Sequence, residues 1–308
     1  MAHRDAIRFP CTAPRLHPAR RHFAWWMVAG LALSATGGAA AAIVEDAVML
    51  PVTIQHQERG EVRHDLPVMV FRDDTRTRAP FVVLGHGRAT TPAANAALGQ
   101  ARYTANSRYL VALGFTVFVP TRIGYGVAGG PDLEFSGDCQ AKRYSVGYDA
   151  AAQQTRAVVA YARGRRDIDA AMGLVMGQSY GGTTAIAIAA DPPDGVRAAV
   201  NFAGGGGGRP TTHPGQPCSP MALTHLFAGY GATARIPTLW LYATNDRYMG
   251  ERLPRDWFDA FLRAGGAGRF VALPAHGEDG HASFTRNTDA WRPAFETFLR
   301  ASGFQLAR

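Results

Sequence analysis

From residue 45 onward, short runs of continuous apolar residues alternate with longer stretches of helical periodicity. Such runs include PFVVLGHG at 80–87, FTVFVPT at 115–121 and AMGLVMG at 171–177. A strand that is apolar at every position is buried on both faces, which is typical of a parallel sheet covered by helices on both sides. The sequence therefore predicts an α/β fold with a mostly parallel sheet of roughly eight strands.

The first two strands lie outside this alternation. AVMLPVTIQ at 47–55 and HDLPVMVFR at 64–72 predict a hairpin-like start. Helices are expected over about 95–113, over 145–163 and directly after 179. Only roughly 30 residues separate the strand at 198–202 from the one at 236–243, which is too few for a large cap domain.

The charge of the chain gives no strong indication of a nucleic-acid partner. The net charge is +8 over 308 residues, but Lys142 is the only lysine, so the excess of arginine is compositional. Five of the arginines, against one aspartate, fall within residues 1–42. No basic run with interleaved aromatic residues follows that segment, and we predict no binding to nucleic acid.

Residues 1–42 have the order of a secretory signal peptide. Arg20 and Arg21 precede an apolar stretch at 23–33, and small residues follow as far as Ala42. This stretch is short for a hydrocarbon core of about 30 Å. We therefore predict a signal peptide cleaved near Ala41 or Ala42, with an uncleaved anchor as the open alternative. The RRHF segment partly resembles a twin-arginine signal.

Residues 43–308 are then expected to form the folded domain of an exported protein, periplasmic or extracellular, with no stable membrane insertion after signal cleavage. The cysteines agree with export. Cys11 leaves with the signal peptide, while Cys139 and Cys218 lie in two Gly/Pro/Ser-rich loops. We expect a Cys139–Cys218 disulfide that closes a loop of about 80 residues and contributes about 3–4 kcal/mol. Two unconnected thiols are the alternative.

The pentapeptide Gly177-Gln178-Ser179-Tyr180-Gly181 follows an apolar strand and precedes an alanine-rich helix. G-x-S-x-G in this setting holds a serine on a sharp strand-to-helix turn, where its hydroxyl projects above the sheet. A serine hydroxyl is a weak nucleophile, and it needs a base together with a group that orients the base.

Two residues further along the chain fit those roles. Asp246 follows the buried strand PTLWLYAT at 237–244, and His281 lies in the loop after the last strand. The order of serine, aspartate and histidine is the one that the motif requires.

With these pieces in place, the chain resembles the α/β-hydrolase superfamily, and within it the dienelactone-hydrolase-like serine esterases and related peptidases. The resemblance covers about residues 65–303, and it rests on GHGR at 85–88, GQSYGG at 177–182, TNDRY at 244–248 and DGHASF at 279–284. Dienelactone hydrolases proper carry a cysteine nucleophile, and the position here is Ser179, which favours ordinary ester chemistry.

The resemblance implies a role for each residue. Ser179 is the nucleophile, His281 the base and Asp246 the residue that orients the imidazole. The backbone N–H of Tyr180 is one oxyanion donor. The second is the N–H of Arg88, with Gly87 as its rival and as a residue of the substrate site.

Other candidates for these roles are less well placed. His276 lies close to the end of the last strand, His86 falls in the oxyanion loop as a structural hydrogen-bonding residue, and Asp256 and Asp259 occupy a helical face. The glycine-rich segment RIGYGVAGG predicts a pocket wall, with Arg122 and Tyr125 as candidate substrate-binding residues.

The sequence thus predicts a serine esterase that cleaves small-molecule or polymeric carboxylic esters through an acyl-enzyme, with no cofactor and no metal. A serine peptidase or amidase of the same superfamily is the alternative, because esters and amides share the catalytic groups. A catalytically silent binding protein is a third reading. The acyl group, the alcohol and the oligomeric state are left open.

Overall fold

The computed structural model describes residues 42–307, which form a single sheet of eight strands together with eight α-helices. The strands are β1 (Ile43–His56), β2 (Gly60–Asp73), β3 (Ala79–Gly85), β4 (Thr116–Pro120), β5 (Ile168–Gln178), β6 (Val196–Phe202), β7 (Thr238–Ala243) and β8 (Gly268–Leu273). The helices are α1 (Pro92–Ala96), α2 (Thr104–Ala112), α3 (Tyr144–Arg163), α4 (Tyr180–Ala190), α5 (Pro220–Thr233), α6 (Arg252–Arg263), α7 (Ser283–Arg286) and α8 (Thr288–Ala301).

The strands lie in the order β1-β2-β4-β3-β5-β6-β7-β8. β2 runs antiparallel to both β1 and β4, and every other neighbouring pair is parallel. The structure therefore confirms the mostly parallel eight-stranded sheet and its hairpin start. The carboxyl ends of β3 to β8 meet at one edge, which is where ligands bind in sheets of this kind.

The apolar strands are buried on both faces. In β3, Val82 and Leu84 pack into the core on one side of the sheet, and Phe81 and Val83 pack into the core on the other. Helices α2 and α8 contribute to the first core, and α3 and α4 to the second. Successive side chains of a strand point to opposite faces, so two covered faces require an apolar residue at every position.

The helix expected over about 95–113 is interrupted in the structure. It forms two separate helices, α1 and α2, and the chain between them turns at Gly99, where φ is +70°. The carbonyl of Gly99 accepts the N–H of Val127 at 3.1 Å. A Cβ at Gly126 would lie 2.7 Å from the carbonyl carbon of Gly99. Packing against a distant loop therefore breaks a segment whose local pattern is helical.

The segment between β6 and β7 contains a loop at 203–219 followed by α5. The sequence did not predict this helix. It packs closely against α6, because a Cβ at Gly231 would lie 2.9 Å from the carbonyl carbon of Phe261. No large cap domain is inserted between these two strands, as expected.

A disulfide ties two loops at the carboxyl edge of the sheet. It joins Cys139, which lies between β4 and α3, to Cys218, which lies just before α5, with a Cα–Cα distance of 4.8 Å. Tyr144 stands beside it, since its hydroxyl lies 2.6 Å from the carbonyl oxygen of Cys218. Within residues 42–307, no helix is both long enough and apolar enough to cross a membrane. The expected signal peptide over residues 1–42 lies outside the described residues except for Ala42, so the peptide and its cleavage near Ala41 or Ala42 stay predictions.

Candidate active site

Ser179 stands at the junction between β5 and α4. Its φ of 55° and ψ of −120° are unusual for a residue with a side chain. Two glycines allow this sharp turn. A Cβ at Gly181 would lie 2.5 Å from the carbonyl carbon of Gly85, and one at Gly177 would lie 2.5 Å from the carbonyl oxygen of Gly181. Side chains at these positions would push β3, β5 and α4 apart, so both glycines of the pentapeptide are needed.

His281 and Asp246 form a buried pair. His281 Nδ1 lies 2.9 Å from Asp246 Oδ2, and Asp246 is 3% exposed. The other carboxylate oxygen of Asp246 accepts the backbone N–H groups of Tyr248 at 2.8 Å and Met249 at 2.9 Å. Because Asp246 accepts a hydrogen bond from Nδ1–H, the neutral ring presents an unprotonated Nε2.

Three further contacts hold His281 in place. The ring of Tyr248 stacks on the imidazole at 4.1 Å between centroids. Gln178 Nε2 donates to the carbonyl oxygen of His281 at 3.0 Å, and Asp279 Oδ1 accepts the N–H of His281 at 3.0 Å. Gln178 thus links the serine turn directly to the histidine loop.

Sequence reasoning assigned no role to Tyr248 and Gln178, although both lie within the quoted motifs. Asp279 also accepts the N–H of Arg247 at 2.9 Å and so joins the aspartate and histidine loops. A polar or aromatic residue next to each catalytic candidate was the signal that could have identified them.

Ser179 and His281 line the same cavity, whose volume is about 380 Å³. Gly87 and Arg88 line it as well. Within residues 42–307, no direct hydrogen bond joins the Ser179 hydroxyl to the His281 ring, although both side chains face this one space. Catalytic hydrogen bonds are often long in structures without substrate and tighten when it binds.

The loop after β3 approaches the serine closely. A Cβ at Gly87 would lie 3.3 Å from the Cβ of Ser179 and 3.8 Å from its Oγ. Within residues 42–307, the backbone N–H groups of Arg88 and Tyr180 have no hydrogen-bond acceptor, whereas the backbone of Gly87 approaches the hydroxyl of Tyr103. The N–H groups of Tyr180 and Arg88 are therefore available to a ligand, and Gly87 stays the alternative for the second donor.

Hydrogen bonds from Arg122 and His86 hold the carbonyl groups of the loop after β3. Arg122 donates to the carbonyl oxygens of His86 at 2.7 Å and Gly87 at 3.3 Å. The backbone N–H of Arg122 donates to His86 Nε2 at 3.0 Å, so His86 donates through Nδ1 to the Gly87 carbonyl oxygen at 2.7 Å. Burial, and secondarily the charge of Arg122, hold the pKa of His86 well below its ordinary value. His86 is thus a neutral hydrogen-bonding residue, which agrees with the sequence interpretation.

The expectation that Arg122 and Tyr125 line the substrate pocket needs correction. Each is 1% exposed, and neither lines the cavity at Ser179. Arg122 pairs with Glu134, which also accepts the hydroxyl of Tyr125. An isolated buried guanidinium is very costly, so the arginine requires this carboxylate and lies beneath the loop instead of facing the ligand. Tyr125 in turn accepts a hydrogen bond from Arg88 Nη1 at 3.0 Å.

Within residues 42–307, no hydrogen bond joins the side chain of a rival residue to Asp246 or His281. His276 binds Asn245 through its backbone N–H at 3.0 Å. Asp256 forms a surface ion pair with Arg252 at 3.3 Å, and Asp259 lies on the same helix, α6. In residues 42–307, no three His, Cys, Asp or Glu side chains cluster so that they could hold a metal ion.

No protein-family profile and no curated protein matches the sequence. Solved structures do match. An acetyl xylan esterase from Paenibacillus sp. R4 is 13% identical, with a TM-score of 0.56, over 85% of this chain and 88% of that one. A dienelactone hydrolase-like promiscuous phosphotriesterase from metagenomic libraries is 14% identical, with a TM-score of 0.54, over 87% of this chain and 100% of that one.

An acylaminoacyl peptidase from Pyrococcus horikoshii is 13% identical, with a TM-score of 0.55. The match covers 82% of this chain but only 41% of the peptidase. At these identities the comparisons show a shared fold, and the chemistry has to be argued from the residues of this chain.

Proposed function

We propose that this chain, which has the α/β-hydrolase fold, is a serine hydrolase that cleaves carboxylic esters through an acyl-enzyme. The observation that carries the proposal is that Ser179, on its strained turn, opens into the same cavity as the buried His281–Asp246 pair. Nucleophile, base and orienting carboxylate are thereby gathered at the edge of the sheet where ligands bind.

The acylation step follows from this arrangement. Ser179 Oγ attacks the ester carbonyl carbon, and its proton passes to His281 Nε2. Asp246 stabilises the imidazolium that forms. The bond to the alcohol oxygen then breaks, and that oxygen takes the proton from His281. The product of this step is an alcohol and an acyl group bound to Ser179.

Deacylation repeats the sequence with water. The oxygen of a water molecule attacks the acyl carbon while His281 takes a proton from that water. His281 then gives this proton to Ser179 Oγ as the carboxylic acid departs. In both steps the developing oxyanion lies against the N–H of Tyr180 and the N–H of Arg88 or Gly87. The N–H groups of Tyr180 and Arg88 have no other acceptor within the described part of the chain, so they require little rearrangement.

The proposal is tested with Ser179→Ala. This variant should lose turnover of a short p-nitrophenyl ester and labelling by a fluorophosphonate probe, because both require the Oγ. Thr183→Ala, one turn along the same helix, is a matched control that removes a hydroxyl other than the nucleophile. Unchanged labelling of the Ser179→Ala protein would falsify the assignment.

A serine peptidase or amidase is the second candidate, and the acylaminoacyl peptidase among the structural matches favours it. The same three residues would act on an amide. Turnover of aminoacyl anilides in the absence of ester turnover would select this candidate. A silent binding protein would show neither turnover nor probe labelling.

We also propose that the protein is exported after cleavage near Ala41 or Ala42. The disulfide between Cys139 and Cys218 supports this, because disulfides persist mainly in oxidising compartments. Sequencing the N-terminus of protein recovered from the periplasm or the medium tests the proposal. Recovery of the intact N-terminus from that material would contradict it.

A further inference from the structure

A second cavity reaches Ser179. Its volume is about 320 Å³, and Ser179, Arg88 and Tyr248 border both this cavity and the first one. Of these two cavities, His281 lines the first and not the second. The second cavity extends toward the disulfide and the glycine run at 205–208. The proposed mechanism leaves it without a function.

The proposed function decides which part of an ester enters each cavity. His281 must give its proton to the leaving oxygen, so the alcohol has to lie on the side of His281, in the first cavity. The acyl group, bound to Ser179 Oγ and held at its oxyanion by Tyr180, then extends into the second cavity. This inference therefore rests on the proposed function.

The glycine run gives the second cavity its shape. A Cβ at Gly206 would lie 2.8 Å from the ring of Tyr144, and one at Gly207 would lie 2.8 Å from the Cβ of Cys218. The hydroxyl of Tyr144 lies 3.0 Å from the carbonyl oxygen of Gly206. Residues with side chains here would displace Tyr144 or the disulfide, so the loop can line the cavity only as glycine.

Two cations border this cavity without a carboxylate partner. Lys142, the only lysine of the chain, donates to the carbonyl oxygen of Gly137. Arg209 Nη2 donates weakly to the carbonyl oxygen of Gln216, at 3.4 Å, and its Nε is buried with no acceptor in the described part of the chain. Within residues 42–307, neither cation forms an ion pair within 4 Å. Both side chains are only half-buried, so each can still bind an anion that enters the cavity.

The third cation of the cavity differs from these two. Arg88 forms a two-point ion pair with Asp132, at 2.8 and 2.5 Å, so its charge is already balanced. Burial and the positive charge of Arg88 lower the pKa of Lys142, and Asp138 and Asp132 offset this only in part. A bound anion would supply the missing negative charge.

We propose that the second cavity binds an acyl group that ends in a carboxylate, with Lys142 and Arg209 as the residues that recognise it. The substrates are then half-esters of dicarboxylic acids. Ser179 attacks the esterified end, while the free carboxylate lies between the two cations. A neutral acyl chain of the same length would leave both cations unpaired.

The test compares two p-nitrophenyl esters with acyl chains of equal length, the glutarate half-ester and the neutral valerate. Wild-type protein should have the higher kcat/KM for the half-ester. Lys142→Gln and Arg209→Gln should each lower the ratio of the two kcat/KM values about tenfold, which is the usual loss when a charged hydrogen bond is removed. Arg263→Gln, which removes an exposed cation from α6, should leave the ratio unchanged.

Thermal unfolding of each variant checks that it folds, and inhibition by free glutarate gives an independent readout. The inhibition constant should rise in the Lys142 and Arg209 variants and stay constant in the Arg263 variant. If neither Lys142→Gln nor Arg209→Gln lowers the ratio of the two kcat/KM values, the anion site is overturned, even if valerate is hydrolysed and Ser179 is labelled. If neither ester is hydrolysed and Ser179 is not labelled, the proposed function has failed as well.

Discussion

Asp246 shows how single residues hold the candidate site together. One oxygen orients His281, and the other accepts two backbone N–H groups from the turn that carries Tyr248 and Met249. With both oxygens engaged, the carboxylate cannot rotate away, and the imidazole is fixed with its proton on Nδ1. The orientation of His281 therefore follows from the local geometry of one turn.

Asp246→Asn tests this role. The amide can no longer hold a proton on Nδ1 and stabilise the imidazolium, so kcat should fall by about three to four orders of magnitude. The measurement is ester turnover, together with fluorophosphonate labelling at saturating probe. The control is Asp256→Asn, which alters only a surface ion pair with Arg252 and should leave turnover unchanged. A variant that keeps near wild-type kcat would remove Asp246 from the mechanism.

Arg122 supports a second residue-scale prediction. Arg122→Ala removes the nearest cation from the buried Glu134 and leaves it Arg88 at 3.8 Å and the hydroxyl of Tyr125, so the free energy of unfolding should fall by about 3 kcal/mol. The substitution also removes the hydrogen bonds that Arg122 donates to the carbonyl oxygens of His86 and Gly87. Urea unfolding measures the first effect, and the kcat of the folded variant measures the second.

Arg252→Ala is the control for this prediction, since a surface ion pair on a helix contributes only about 0.3–0.5 kcal/mol. If Arg122→Ala does not fold, Arg122→Lys is the second variant to test, because lysine keeps the positive charge and lacks the planar guanidinium group that donates to several acceptors at once. A lysine variant with wild-type kcat would show that the contacts to His86 and Gly87 do not position the loop.

At the scale of elements, the site depends on how closely β3, β5 and α4 approach one another. Gly181→Ala places a Cβ 2.5 Å from the carbonyl carbon of Gly85, and neither backbone can move without displacing a strand. We expect a loss of about 1–3 kcal/mol in the free energy of unfolding. Ester turnover should also fall sharply, because Tyr180 and Ser179 shift together.

Gly229→Ala in α5 is the matched control for this substitution. Nothing lies within 4 Å of a Cβ there, so alanine should be neutral or stabilising by up to about 1 kcal/mol. Equal unfolding free energies for the two alanine variants would contradict the argument that the close approach of the elements requires glycine.

The elements also show what a sequence can and cannot predict. The buried strands, α3 and α4 follow from patterns within a few residues, and all of them were predicted. The break between α1 and α2 was not, because it depends on contact between Gly99 and the loop at Gly126, which are neighbours only in the folded chain. Arg122 and Tyr125 were misplaced for a similar reason, since their burial depends on Glu134 being in reach.

At the scale of the whole molecule, the disulfide closes a large loop, with Cys139 and Cys218 separated by 79 positions. Replacing both cysteines with serine should lower the free energy of unfolding by about 3–4 kcal/mol, mainly because the unfolded chain gains freedom. Chemical unfolding with and without a thiol reductant measures this. The reductant should destabilise the wild-type protein and have no effect on the serine variant. Identical unfolding midpoints for the two unreduced proteins would contradict the prediction.

The single lysine lies between the two bridged cysteines, at position 142. A protease that cuts only after lysine therefore has one peptide bond to cleave in the entire chain, and that bond is inside the covalent ring. Digested without reduction, the unfolded protein should migrate on a denaturing gel as one band. After reduction, the same digest should separate into two fragments, of residues 1–142 and 143–308 if the N-terminus is intact.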